Sequence, residues 1–212
     1  MSKVEVMNVC KTYKKETVLN DISFSVDAGE IFGIIGRNGS GKTVLMKILC
    51  GLIAANSGMV KIDDKVIGKD LDFPPNTGAI IEQPAFIQFA SGYKNLKYLA
   101  DINGKIGKTE IYDVMKKVGL DPESKKWALQ YSLGMKQRLS IAQAIMEDPA
   151  LIILDEPMNG LDLDAVKQMR AYLKELKQNG KTIIMSSHMQ EDIEALCDHV
   201  IELDRGCIID VR

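Results

Sequence analysis

Cysteine and histidine are scarce in this 212-residue chain, and neither is grouped as a metal site would need. Cys10, Cys50, Cys197 and Cys207 are scattered with no CxxC spacing, and His188 and His199 are the only histidines. Metal binding through sulfur is therefore disfavoured, and reduced thiols in a cytoplasm are the simplest reading. Long apolar runs are missing too: IFGII and ALIIL fall far short of the ~20 residues a membrane helix needs. The N-terminal MSKVEVMNVC lacks the apolar core of a signal peptide, so work at a membrane would require another protein to span it. No block of like charge occurs, and 27 basic against 29 acidic residues leave a formal charge of −2. That balance argues against nucleic acid as a main partner.

What is present is an ordinary globular composition, 46% hydrophobic and 26% charged, with no repeat, low-complexity tract or Pro/Gly-rich linker. The length allows one large domain or two small ones. VEVMNV and TVLNDISFSV read as strands, Ile22, Phe24 and Val26 alternating with polar residues. EIFGII reads as a strand buried on both faces, as in an α/β sheet. TVLMKILCGL then reads as a helix with Val44, Leu45, Ile48, Leu49 and Leu52 on one face. Residues 84–148 carry the helical segments NLKYLADI, TEIYDVMKKVGL and LSIAQAIME, the last stopped by Asp148-Pro149. After them ALIIL, LDAVKQMRAYLKELKQNG, KTIIMSS and QEDIEALCDH alternate strand and helix, and VIELDRGCIIDV reads as a hairpin turning at Asp204-Arg205-Gly206. The expectation is an α/β core of residues 1–83 and 149–212 interrupted by a helical insertion.

GRNGSGKT, residues 36–43, satisfies GxxxxGK[ST] between an expected strand and helix, which is the context a phosphate loop requires. Gly36, Arg37, Asn38, Gly39, Ser40 and Gly41 would curl backbone N–H groups around phosphate oxygens, with Val44 opening the helix behind them. Lys42 would reach the β- and γ-phosphates, and the Thr43 hydroxyl would ligate Mg²⁺. LIILDE is an apolar strand ending in two carboxylates whose side chains should point to opposite faces. Asp155 is the candidate Mg²⁺ holder, and Glu156 the candidate for polarising an attacking water. These motifs make a phosphoryl-transfer site without saying which kind.

The order of the remaining motifs resembles the nucleotide-binding domain of an ATP-binding cassette (ABC) ATPase, over essentially the whole chain. Gln83 in IIEQPAF stands at the first edge of the insertion. YSLGMKQRL precedes the LIILDE strand, EPMNGLD follows it, and His188 in MSSHMQED ends the next strand. The resemblance implies a RecA-like P-loop NTPase core with an N-terminal antiparallel β subdomain and an inserted helical subdomain. It implies that Gln83 senses Mg²⁺ and water, that Ser132 and Gly134 contact ATP held by the opposite subunit, and that Asp162 is the D-loop residue. It further implies that His188 donates to the γ-phosphate and that Tyr13 in CKTYKK stacks on adenine.

Against the family signature LSGGQ this chain reads Tyr131-Ser132-Leu133-Gly134-Met135, keeping the serine and the second glycine. SLGMKQR, IIEQPAF and EPMNGLD resemble the bacitracin and lantibiotic exporter branch, although Asp164 stands where that branch often has proline. The implied protein binds ATP and Mg²⁺, pairs with a second ABC ATPase chain as a homodimer, and powers a separate integral membrane permease. It would sit peripherally on the cytoplasmic face of the plasma membrane, and with the chain ending soon after the last hairpin no regulatory tail is expected. The alternative is a soluble ABC ATPase acting in DNA repair or on the ribosome, but neither a coiled coil nor a second cassette is present. A small-molecule P-loop kinase would explain GRNGSGKT but not the joint positions of Gln83, Ser132, Asp162 and His188. A non-hydrolysing binder would have no need of Glu156 and His188.

Overall fold

Apolar alternation shapes the first half of the chain and continuous apolar runs shape the second. The computed structural model describes residues 3–82 and 85–212. Its elements begin with β1 (Val4–Tyr13), β2 (Glu16–Val26), β3 (Ile31–Ile35), α1 (Lys42–Leu49), β4 (Ser57–Ile62), β5 (Lys65–Val66) and β6 (Thr77–Ile80). Then come α2 (Gly92–Asn103), α3 (Lys108–Lys117), a 3₁₀ turn (Ala128–Gln130) and α4 (Leu133–Ile145). The chain closes with β7 (Leu151–Leu154), α5 (Leu163–Gln178), β8 (Thr182–Ser186), α6 (Gln190–Leu196), β9 (His199–Asp204) and β10 (Cys207–Val211).

Val4, Val6 and Val9 of β1 and Leu19, Ile22 and Val26 of β2 face inward from an antiparallel sheet of order β2-β1-β4-β5. The strands β4, β5 and β6 lie outside those expected from the sequence. Ser57, Gly58 and Met59 are exposed, so Val60 and Ile62 alone mark β4 as an inward-facing strand. The second sheet has order β10-β9-β3-β8-β7-β6, parallel from β9 to β6, with β10 antiparallel at the edge. Every residue of β7 and β8 is buried, as strands covered on both faces must be.

Two helix ends differ from the sequence reading. The helix α1 stops at Leu49, and Leu52 lies beyond it, 56% exposed, so it is not on the buried face. Met46 is fully buried instead, because α1 is covered on more than one side. The helix α4 ends at Ile145, ahead of Asp148-Pro149, with Asp148 in a left-handed conformation. The hairpin expected at residues 204–206 forms, with Arg205 and Gly206 both at positive φ as a type I′ turn needs.

Residues 85–148 contain three α-helices and no strand, and α2, α3 and α4 share one apolar cluster with β7 and α5. All four cysteines are free, and burial pushes the thiols of Cys50 and Cys197 up to about 12. None of the helices among the described residues is long and apolar enough to cross a membrane. The helix α4 crosses β6 at close range: a Cβ on Gly78 would lie 1.7 Å from the Ala144 carbonyl oxygen. Gly78→Ala must therefore push α4 off the sheet edge. It should lower the unfolding free energy by about 3 kcal/mol, measured by urea denaturation, and an unchanged midpoint would contradict this packing.

Candidate functional site

The parallel strands end their carboxyl termini side by side, and the strand order decides which loops meet. Because β8 lies between β3 and β7, its last residue falls between the loop after β3 and the acidic pair after β7. The loop after β3 is residues 36–41, wedged against three other elements. A Cβ on Gly36, at φ 146°, would lie 2.2 Å from the Leu203 carbonyl oxygen of β9, so only glycine fits. Gly206 of the hairpin turn donates its N–H to the Ser40 carbonyl at 3.0 Å. Gly41, at φ 107°, packs against Val18 and Leu19 of β2 and caps α1.

Several donors converge in this loop. The first N–H groups of α1 have no intrahelical acceptor, as at any helix start. Lys42 is buried and its ammonium donates to the loop's own carbonyls, Gly36 at 2.6 Å and Arg37 at 3.2 Å. The Ser40 hydroxyl is buried without a hydrogen-bond partner among the described residues. An orphaned hydroxyl, a buried ammonium and a positive helix end form a donor set that an oxyanion satisfies. Beside it lies a cleft of about 250 Å³ lined by Val18, Gly39, Lys42, Thr43, Asp155 and Glu156.

The acidic pair diverges as strand geometry requires. Asp155 Oδ2 accepts from Thr43 Oγ1 at 2.7 Å, and its Oδ1 accepts from Ser186 Oγ at 2.6 Å. Ser186 Oγ also accepts the Glu156 N–H at 2.8 Å, tying β8 to both carboxylate residues. Glu156 is held at φ 50°, a left-handed conformation that costs a non-glycine residue of order 1 kcal/mol and turns its side chain away from that of Asp155. Its Oε2 lies 2.7 Å from His188 Nδ1. A hydroxyl and a carboxylate at the end of a phosphate-type loop are hard oxygen donors, the set a Mg²⁺ ion takes together with phosphate oxygens and water. The residues present fit that ion.

The signature stretch is a helix start with connections. Ser132 caps α4, its hydroxyl accepting from the Met135 N–H at 3.2 Å. It is exposed and does not line the cleft beside residues 36–41. Gly134 packs against the Gly160 carbonyl, where a Cβ would come within 2.9 Å. Gln137 donates to the carbonyls of Glu156 and Pro157 at 3.3 and 3.1 Å. Arg138 donates to Gly119 O at 3.0 Å and lies 3.6 Å from Asp162, which caps α5 through the Ala165 N–H at 2.8 Å. Tyr13 ends β1, 46% exposed, with Lys11 over its ring, and is not among the cleft's lining residues. Arg37 and Asn38 are exposed on the loop, and Val44 is half-buried on α1. Gln83 lies outside the described residues.

Ser186 and Gln137 were not singled out by the sequence reading as site residues. The signal available for Ser186 was its place at the end of an apolar strand, two residues before His188.

The chain matches the family model described as ABC transporter over residues 19–159. It is 39% identical to the bacitracin transport ATP-binding protein BcrA of Enterococcus faecalis, over 98% of this chain and 68% of that protein. It is 37% identical to the lantibiotic transport ATP-binding protein SrtF of Streptococcus pyogenes, over 97% of this chain and 89% of that protein. Among solved structures, the fold is like that of the ATP-binding cassette MJ0796, in a dimeric post-hydrolysis state bound to ADP and Pi. The TM-score is 0.89 at 23% identity, covering 99% of this chain and 97% of that one.

Ser186→Ala would leave the Glu156 N–H without its acceptor and Asp155 without one of its donors. It should cost about 1–3 kcal/mol of stability, the penalty for an unsatisfied polar group. Denaturant titration of the variant checks this, and wild-type stability would mean the Ser186 bridge holds nothing.

Proposed function

This chain belongs to the ABC transporter family as an ATP-hydrolysing, ATP-binding subunit, and we propose that it works as the motor of an exporter. Two copies close head to tail on two MgATP and drive a separately encoded membrane permease between conformations; hydrolysis resets them. The observation that carries this reading is the unbroken hydrogen-bond chain Thr43–Asp155–Ser186–Glu156 N–H, with His188 on the Glu156 carboxylate. It supports reading Asp155 as the metal holder and Glu156 as the base, since both line the cleft beside the phosphate-type loop. The names of BcrA and SrtF, which speak of bacitracin and lantibiotic transport, support antibiotic export as the task.

In this reading residues 36–41 and Lys42 hold the phosphates of ATP, and Thr43 and Asp155 would hold Mg²⁺, which would supply charge neutralisation at the phosphates. Glu156 accepts a proton from water as its oxygen attacks the γ-phosphorus, the bond to the β-phosphate oxygen breaks and ADP leaves. His188 keeps the Glu156 carboxylate in place and reaches the γ-phosphate, while Gln83 senses the ion and the water. Tyr13 offers its ring to adenine. Ser132 and Gly134 face the ATP of the opposite copy, with Asp162 of the D-loop beside them. That they stand apart from the chain's own cleft supports a site completed by a second copy. Residues 84–148 act as the helical signature subdomain inserted between residues 1–83 and 149–212. The subunit then lies on the cytoplasmic face of the membrane through that permease.

Glu156→Gln keeps the shape and removes the base. General-base catalysis is typically worth ~10²–10⁴-fold, so the variant should lose about 3–5 kcal/mol of barrier lowering while still binding ATP. Turnover at the wild-type rate would remove Glu156 from the role. Ser132→Arg and Gly134→Asp should each abolish hydrolysis and spare nucleotide binding to the same chain. Unchanged turnover in both would return the stretch around Ser132 to an ordinary helix start.

A further inference from the structure

His188 is 59% side-chain exposed, yet its ring must meet the Glu156 carboxylate, and its own surroundings do little to hold it. The residues on either side of it are held by a buried polar chain that reaches into α5. Ser187, itself buried, donates its hydroxyl to Asp192 Oδ2 at 3.0 Å and accepts the Met189 N–H at 3.0 Å. The backbone is therefore fastened immediately before and immediately after His188. Asp192, on α6, is 0% exposed. Its Oδ1 accepts from Arg170 Nε at 2.8 Å, and Arg170 Nη2 lies 2.6 Å from the same oxygen, off the line of its N–H and so a Coulombic contact. Glu191 stands 3.6 Å from Nη2 on the solvent side.

A buried ion pair of this kind is weak as a stabiliser, because removing both charges from water costs much of what their attraction returns. Its geometry is nonetheless specific. Arg170 belongs to α5, the helix capped by Asp162, and Asp192 belongs to the helix that follows His188. We infer that Arg170, acting through Asp192 and Ser187, is a positioning residue for hydrolysis that holds the His188 ring against Glu156. The inference rests on the proposed role of His188 in the reaction. It ties the orientation of one catalytic side chain to the helix that begins at the D-loop. Movement of α5 then reaches His188 without passing through the phosphate loop.

The test replaces the pair by apolar residues, Arg170→Met with Asp192→Leu, which buried pairs tolerate with stability kept or raised. In the purified full chain, turnover of ATP should fall roughly 10- to 100-fold, as for a misplaced catalytic group, while the chain stays folded with an unfolding midpoint lowered only by the loss of the Asp192 acceptor of the Ser187 hydroxyl. The KM for ATP should stay within about two-fold, because the phosphate loop is untouched. Ser187→Ala, which leaves the pair in place, should lower turnover in the same direction but less, and decides alone if the apolar pair does not fold. Arg170→Lys, with Asp192 kept as its partner, should retain most of the wild-type rate. In a His188→Ala background the apolar pair should cause no further loss. Normal turnover of a folded pair variant, or an equal further loss without His188, would overturn the inference. Normal turnover of His188→Ala itself would overturn the site reading and this inference together, whereas a slow His188→Ala beside a normal pair variant overturns this inference alone.

Discussion

Asp155 accepts two short hydrogen bonds, from Thr43 Oγ1 at 2.7 Å and from Ser186 Oγ at 2.6 Å, and three elements are joined at that carboxylate. One bond comes from the first turn of α1 and the other from the end of β8, while Asp155 itself follows β7. The strand order makes this possible, since β8 runs between β3 and β7. A different order would have separated the phosphate-type loop from the acidic pair. The apolar residues of β7 and β8 thus do more than fill a core: their burial fixes the height at which Asp155 and Ser186 meet. A half-buried carboxylate with two hydroxyl donors is satisfied and stiff, which suits the proposed role of holding an ion in one place.

Neighbouring residues carry different chemistry because the backbone turns sharply between them. Asp155 stays on the strand's line, and Glu156 leaves it at φ 50°. The strain is retained because Ser186 accepts the Glu156 N–H and Gln137 donates to the Glu156 carbonyl. The first tie comes from β8 and the second from the helix that begins with Ser132. The proposed contact point for a second chain and the proposed base are therefore parts of one bonded unit. On the other side, the Arg170–Asp192–Ser187 chain fastens the segment that carries His188.

Local signals were legible and distant pairings were not. GRNGSGKT announces its conformation, since its glycines, lysine and threonine have fixed roles within eight consecutive residues. The alternation in β2 and the unbroken apolar run of β7 were readable for the same reason. The strands β4 and β5 escaped because one is marked by only two inward residues and the other is two residues long. Leu52 misled because an apolar residue at helical spacing continues a pattern even after the helix has stopped. Ser186 and Arg170 could not be recognised, because their partners lie 31 and 22 positions away and nothing local marks the pairing. The resemblance to ABC ATPases supplied what spacing alone could not, namely a proposed role for Ser132, which is not among the residues that line the chain's own cleft.

In the proposed pair, the phosphate-type loop and the signature of one chain belong to two different sites, each completed by a second copy. Light scattering on the purified chain tests this most directly, using a Glu156→Gln variant so that ATP is not consumed. With MgATP the measured mass should be that of two chains, and with MgADP that of one. A mass of one chain with ATP demonstrably bound would contradict the account.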